Sequence, residues 1–479
     1  MYLGIDLGTS SVKILLMDDE QRIIGTASSP CDVSRPHDGW SEQDPAAWIS
    51  ATQTSLSQLA SEHKKAMSAV RGIGLSGHQH GATLIGAKDE VLRPCILWND
   101  TRSDQQAAQL NTTENQQLCG SIVFPGFTAP KVLWVKEHEP AIYDQCKKIL
   151  LPKDYLRLWL TGEYVSEMSD ASGTGWLDVS QRQWSAKLMH SGCVSVEQMP
   201  ALVEGSDNSG TLRKSLADDY GMSGRVVVAG GAGDNAASAC GMGTINPGSA
   251  FISLGTSGVL FAANENYRPN PQSAVHTFCH AIPATWHQMG VILSATDSLN
   301  WLGNITGQSP AALTDAVGEK LTAPGSTLFL PYLGGERTPH NDANIRGVFT
   351  GIGHDCDVPA MTRAVLEGVS FAFRDNLAAL AAAGTSLERV TAVGGGSRSH
   401  YWLSMLATVL DIPVDTTVSG DFGAGFGAAR LGMIAAEDAD PSAVCTAPAT
   451  ASTIEPDHSL TGAFDAAYQN FRDLYPRVS

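Results

Sequence analysis

The chain has 479 residues, 43% hydrophobic and 17% charged, which is enough apolar material for large buried cores and excludes a disordered chain. Its formal net charge of −18 excludes a nucleic-acid binder that relies on basic surface, and requires any polyanionic ligand to be neutralised locally by metal, Lys, Arg or backbone N–H groups. No stretch reaches the roughly 18 apolar residues of a membrane helix, and the N-terminus has neither the basic lead-in nor the apolar core of a secretory leader. Nine scattered cysteines, never spaced Cys-x-x-Cys, fit reduced thiols. The expectation is a soluble cytoplasmic protein without nucleic-acid or membrane partners.

Strand signals open at Tyr2–Leu7 and 13–17 and recur at 73–75, 82–85 and 226–229, with helical patterns between them. Asp44-Pro45 reads as an N-cap followed by proline at the first helical position, and Tyr155, Leu156, Trp159 and Leu160 have helical spacing ended by Gly162. The small, turn-rich run 241–248 reads as a boundary or hinge, so the expected domains are 1–243 and 244–479. The second half repeats the plan, with a hairpin at 250–263, helix around 360–383, strand Val390–Val393, a triple glycine and another helix. Gly420-Asp421-Phe422-Gly423-Ala424-Gly425-Phe426-Gly427-Ala428-Ala429-Arg430 reads as a loop entering a helix with small residues on its packing side. The pattern is mixed α/β.

Two stretches are near copies: Leu7-Gly8-Thr9-Ser10-Ser11-Val12 and Leu254-Gly255-Thr256-Ser257-Gly258-Val259. Each reads as strand, Gly-Thr-Ser turn, strand, with glycine expected at positive φ and with hydroxyls and bare N–H groups forming an anion cradle. Two such hairpins opening two similar halves suggest a duplicated fold that closes on a polyphosphate from both sides. No P-loop is present, and the Gly-x-Gly-x-x-Gly match at 72–77 does not lead into a helix, so phosphate binding falls to the hairpins and the triple glycine.

Asp6, at the end of the first strand, either caps its own turn or holds Mg²⁺ against phosphates, with Lys13 on the far arm able to face a transferring phosphoryl group. Asp234 follows a buried strand and the glycines 230–233 and opens a helix. It reads either as an N-cap or as a base kept ionised at a helix N-terminus, beside space cleared for a substrate hydroxyl. Gly394-Gly395-Gly396-Ser397 is a structural turn or an anion and nucleotide platform. His78 and His80, or His276, Cys279 and His280, lack the companion ligands of a metal site, and His80 reads better as a substrate contact.

The residues resemble the FGGY family of carbohydrate kinases. Gly126-Phe127-Thr128-Ala129-Pro130-Lys131-Val132-Leu133-Trp134 is similar to its first signature, and the stretch from Gly347 to Gly368 is similar to its second, with Ala360 in place of a polar residue. Within the family, Leu151-Pro152-Lys153-Asp154-Tyr155-Leu156-Arg157, Ser169-Asp170-Ala171-Ser172-Gly173-Thr174 and Pro331-Tyr332-Leu333-Gly334-Gly335-Glu336-Arg337 are most similar to bacterial D-xylulose kinases. The resemblance implies a two-domain fold of the actin, heat-shock-70 and sugar-kinase type, with duplicated ribonuclease H-like domains about a cleft. It implies ATP-dependent phosphorylation of D-xylulose with Mg²⁺, and a homodimer.

By the same resemblance Asp6 is the metal-linked acid and Asp234 the catalytic base. Gln79, His80, Asp100 and Asn235 contact the sugar. Gly8, Thr9, Ser10 and Lys13 hold phosphate, as do Gly255, Thr256 and Ser257, and Gly394, Gly395, Gly396 and Ser397 hold the adenosine side. Gly77-His78-Gln79-His80-Gly81 departs from the group's Gly-Gln-Met-His-Gly, and Leu403 and Ser404 replace polar residues. Alternatives are another ketose or polyol, such as ribulose, or a non-catalytic sugar or nucleotide sensor on the same fold. A chaperone-like binder would need a peptide-binding domain for which there is no room.

Overall fold

The computed structural model describes residues 1–418 and 422–479. Gly420 and Asp421 of the expected loop lie outside the described residues.

Two seven-stranded sheets organise the chain. The first contains β1 (Tyr2–Leu7), β2 (Ser11–Met17), β3 (Ile23–Pro30), β4 (Gly72–Gly77), β5 (Asn208–Thr211) and β6 (Val227–Ala229), in the order β5-β6-β4-β1-β2-β3, with β7 (Ala232–Gly233) beside the end of β4. The second contains β8 (Ala250–Leu254), β9 (Gly258–Asn264), β10 (His276–Cys279), β11 (Trp286–Ile292), β12 (Val390–Val393), β13 (Val414–Thr417) and β14 (Thr450–Ile454), in the order β10-β11-β9-β8-β12-β13-β14. In each sheet the opening strand pairs antiparallel with the strand after it and parallel with a later one. The duplication suggested by the two hairpins extends to the sheets themselves.

The strand period of two explains how both faces of the first sheet are covered. Leu3, Ile5, Leu7, Val12, Ile14 and Leu16 point into one core with Trp48 of α1 (Pro45–Glu62) and Leu156 and Leu160 of α2 (Pro152–Thr161). Tyr2, Leu15 and Met17 point the other way, onto Phe426 and Ala429.

Those last two residues belong to a helix near the other end of the chain. Helix α3 (Asp234–Met242) follows the first sheet in sequence, yet its Ala239 packs with Phe251, Phe261, Met289 and Val291 of the second. In the second half come α4 (Thr296–Thr306), α5 (His400–Leu410) and α6 (Ala424–Glu437). Helix α6 packs on the first sheet, and it crosses α3 where Ala236, Ala237 and Cys240 meet Leu431 and Ile434.

The two helices thus exchange sheets, and small residues make the approach possible. A Cβ on Gly4 would lie 1.9 Å from the carbonyl oxygen of Gly425, one on Gly74 1.7 Å from that of Ala428, and one on Gly427 1.7 Å from that of Ala237. Small residues on the packing side of 424–430 were expected. Their partners in β1 and β4 were not.

Replacing Gly4 by Ala therefore drives a methyl into backbone that cannot retreat. The variant is expected to lose at least about 1–3 kcal/mol of stability in a denaturant titration, with a lower midpoint.

Candidate active site

Strand β6 ends at Ala229, and the turn 230–233 returns the chain alongside β4, with Gly231 in the left-handed region at φ 76°. Ala232 and Gly233 then pair with Ser76 and Gly77, which sets Asp234 beside the loop that follows β4. Asp234 is the first residue of α3, and the cap position belongs to Gly233, which makes no side-chain cap. The simple N-cap reading of Asp234 is therefore corrected. Its Oδ1 accepts hydrogen bonds from the backbone N–H of Asn235 at 2.7 Å and from the Asn235 side-chain amide at 2.9 Å. Burial, and after it the negative charge of Asp6, push the Asp234 pKa up to about 6, against the pull of the two Asn235 hydrogen bonds. Asp6 lies at the end of β1, opposite Lys13 in the β1–β2 register, and accepts from the Ser76 hydroxyl at 3.0 Å.

The two Gly-Thr-Ser turns are each anchored from behind. The N–H of Gly8 donates to the Ser11 carbonyl at 3.0 Å, and the Thr9 carbonyl accepts from the Gln43 amide at 2.6 Å. Gln43 is itself held by the Trp48 indole at 3.1 Å. Ser10 is exposed, and its carbonyl accepts from the N–H of Cys31. In the second turn Thr256 and Ser257 are exposed, while the carbonyls of Gly255 and Thr256 accept N–H groups from the start of α4. The expectation of positive φ at the turn glycines is not met: neither Gly8 nor Gly255 is in the left-handed region. A side chain at Gly8 would instead meet the Ser11 carbonyl at 3.2 Å, a tight contact that the hairpin must give way to admit.

Positive φ occurs at Gly394, at 90°, where an added Cβ would also lie 2.8 Å from the Leu254 carbonyl. The triple-glycine loop thereby lies directly against the second hairpin, with Gly395 open, Gly396 packed on Leu254 and Trp402, and the Ser397 hydroxyl donating to Gly394 at 2.7 Å. A cavity of about 970 Å³ is lined by Thr296, Leu299, Gly395, Gly396 and Tyr401. A second, of about 650 Å³, is lined by Asn235, Ser238, Gly394 and Ser397. The same glycine loop therefore separates an apolar-walled space from one reaching the start of α3.

His80 has a left-handed backbone at φ 70°. Its carbonyl accepts from Lys131 Nζ and Thr128 Oγ1, both at 3.0 Å, so the first signature stretch holds this loop. The His80 ring stacks on Phe127, and its Nδ1 lies 2.7 Å from the Gly173 carbonyl. A carbonyl only accepts, so Nδ1 carries the proton and Nε2 of the neutral ring is left as an acceptor. Burial pushes the His80 pKa down to about 3. Gln79 packs against Gly233, whose missing Cβ would lie 2.6 Å from its side-chain nitrogen. His78, one of the departures from the group's pattern, packs edge-on against Trp48 in the first core.

Asp100 is 1% exposed, and its carboxylate is occupied by the Ser41 N–H at 2.6 Å and by two Arg102 guanidinium nitrogens at 2.9 and 2.6 Å. The expected sugar contact at Asp100 is corrected to a buried ion pair. Sequence reasoning passed over Trp98, which is 44% exposed and donates its indole N–H to Thr9 Oγ1 at 3.0 Å. An aromatic residue two positions before Asp100 was the available signal. Among the described residues no cluster of three or more His, Cys, Asp or Glu could form a metal site, and no helix is long and apolar enough to cross a membrane.

The N-terminal domain of the FGGY family of carbohydrate kinases matches residues 1–241 and its C-terminal domain matches residues 250–436. The chain belongs to this family. Membership makes it a carbohydrate kinase, with ATP and a sugar as substrates. The xylulose kinase of Escherichia coli strain K12 is 45% identical over 481 residues, covering 100% of this chain and 98% of the relative. The crystal structure of a "xyloylose kinase" from Brucella ovis is 60% identical, with a TM-score of 0.98 over 99% of each chain. That of a xylulose kinase from Rhodospirillum rubrum is 27% identical, with a TM-score of 0.93 over 99% of this chain and 98% of the other.

The His80 geometry is directly measurable. ¹⁵N NMR of labelled protein is expected to show a neutral imidazole protonated at Nδ1 and no titration of this ring between pH 5 and 8, which follows from a pKa near about 3.

Proposed function

We propose that the protein transfers the γ-phosphoryl group of ATP to D-xylulose, giving D-xylulose 5-phosphate and ADP. The observation that carries this reading is the raised carboxylate of Asp234 beside Asp6, set at the head of α3 in a chain whose full-length relatives are named xylulose kinases.

In this reading Asp234 is the base. It accepts the proton of the sugar hydroxyl while that oxygen bonds to phosphorus and the bond to the ADP oxygen breaks. Asn235 keeps the Asp234 carboxylate oriented, and its amide also faces the sugar. His80 accepts a sugar hydroxyl at Nε2, Gln79 offers its amide, and Trp98 presents an apolar wall. Thr9, Ser10, Thr256 and Ser257, with Gly8 and Gly255, cradle the phosphates from two sides, and Lys13 supplies positive charge. The glycine loop Gly394–Ser397 lines the adenosine space. Mg²⁺ fits Asp6, because this ion keeps several waters and takes one or two carboxylates plus phosphate oxygens, and so needs no all-protein cluster. When bound it neutralises phosphate charge.

The reading places the domain boundary after Gly243, the left-handed residue that ends α3. It carries with it a cytoplasmic setting and a homodimer, the latter open to light scattering.

A coupled ADP-release assay over pentuloses, hexuloses and polyols tests the substrate. D-xylulose is expected to give the highest kcat/KM, and a higher value for ribulose or a polyol would reassign it. Asp234→Asn is expected to lower kcat about 10²–10⁴-fold. The sign of the pKa shift adds two outcomes. Asp234 acts only when deprotonated, so activity should fall as pH drops through about 6. A carboxylate whose pKa is raised by folding costs stability when ionised at pH 7, so the Asn variant should melt no lower than the parent.

A further inference from the structure

Behind the turn that carries Asp234 lies a group of five charged side chains that the chemistry above does not use. Lys153, Asp154 and Arg157 come from α2, and Glu167 and Asp170 from the short helix Met168–Ser172 and its cap. All five are fully buried. Lys153 Nζ lies 2.7 Å from Asp154, 3.2 Å from Glu167 and 3.1 Å from Asp170. Burying so many charges is a poor route to stability, since apolar residues of similar volume generally do as well or better. Burial pushes the Asp170 carboxyl well above the ordinary carboxylate range, and Asp154 Oδ2 and Asp170 Oδ1 lack hydrogen-bond partners.

What the cluster does hold is backbone. Arg157 donates to the carbonyl of Ala229 at 2.6 Å and to the carbonyl of Gly230. At the other end of the turn, the N–H of Gly233 donates to Ser169 Oγ at 3.1 Å. The Ser169 hydroxyl donates in turn to Glu167 at 2.8 Å, and the other Glu167 oxygen faces Lys153. A guanidinium thus meets carbonyls and a carboxylate-backed hydroxyl meets an N–H, each polarity matched to the group it grips. Between the two grips lie Gly231, in the left-handed region, and Ala232, on a turn whose other backbone partners are the Asp207 and Gly205 carbonyls and the end of β4.

We infer that Arg157 and Ser169, backed by the buried charges of Lys153, Glu167 and Asp170, are positioning residues that clamp both ends of the 230–233 turn and so fix the Asp234 carboxylate against the sugar hydroxyl. This rests on Asp234 being the base. Neither residue touches substrate in this account. Both act through the backbone, where a displacement of about 1 Å can cost on the order of 10² in rate.

The charged group facing Asp234 across the site is Asp6 of β1, with Lys13 opposite it in register. Lys153, Glu167 and Asp170 stand behind the turn. Asp234 is partly exposed, and releasing the turn would hydrate it further, which should move the acidic limb of its pH profile below about 6 towards the ordinary carboxylate range.

The test is steady-state kinetics of Ser169→Ala and Arg157→Lys in the full-length protein, with Asp234→Asn in parallel. Ser169→Ala removes one buried oxygen and is the milder change. Arg157→Lys keeps the charge but loses the second grip. For either variant that folds, kcat is expected to fall about tenfold or more, KM for ATP to stay within twofold, and the acidic limb to move to lower pH. If kcat and the acidic limb stay at parental values while Asp234→Asn is inactive, the clamp is refuted and the base reading stands. A fall in kcat with an unmoved limb, or with ATP KM rising in step, also refutes it by pointing to general loosening. An active Asp234→Asn overturns the base reading instead.

Discussion

Everything in this fold depends on a contact between backbones. Helix α6 lies on β1 and β4 and across α3 at a distance that leaves no room for a Cβ at Gly4, Gly74 or Gly427. Carbonyl oxygens of α6 and α3 fill those places. The contact lets each of the two helices pack on the sheet of the other half, so the halves interlock although the first sheet's strands end at Gly233 and the second's begin at Ala250. Asp234 is the first residue of one of these helices. The junction of the two halves and the candidate reacting centre are therefore parts of one structural element.

The electrostatics follow from that placement. A chain with a net charge of −18 must neutralise a polyanion locally, and in the proposed function that task falls to the hydroxyls of the two Gly-Thr-Ser turns and to Lys13. Asp234 stands apart from them as a carboxylate whose negative charge is disfavoured by burial and by Asp6. A group poised near neutrality in this way can take a proton as phosphoryl transfer proceeds, whereas a fully solvated carboxylate would be the weaker base.

Much of this was legible in the sequence, because the chemistry sits in local patterns. The duplicated turns, the glycines before Asp234 and the triple glycine are each contiguous, and each marks a real turn at a strand end. What was illegible came from long range. Nothing around Asp100 announces that Arg102 and the N–H of Ser41 will occupy its oxygens, and nothing around His78 announces Trp48. Gly8 and Gly255 misled in a different way: a glycine in a tight turn suggests positive φ, yet neither adopts it, and only at Gly8 is there a close approach of the hairpin arms. The exchange of α3 and α6 was hidden for the same reason, since a helix with small residues on one face does not say which sheet it meets.

The most direct test of the account is a crystal structure with D-xylulose and a non-hydrolysable ATP analogue bound together. The account predicts the C5 hydroxyl oxygen of the sugar within about 2.6–3.2 Å of an Asp234 carboxylate oxygen, in line with the γ-phosphorus. A sugar bound with its C5 hydroxyl beyond reach of Asp234, in a closed complex with the γ-phosphate in place, would contradict it.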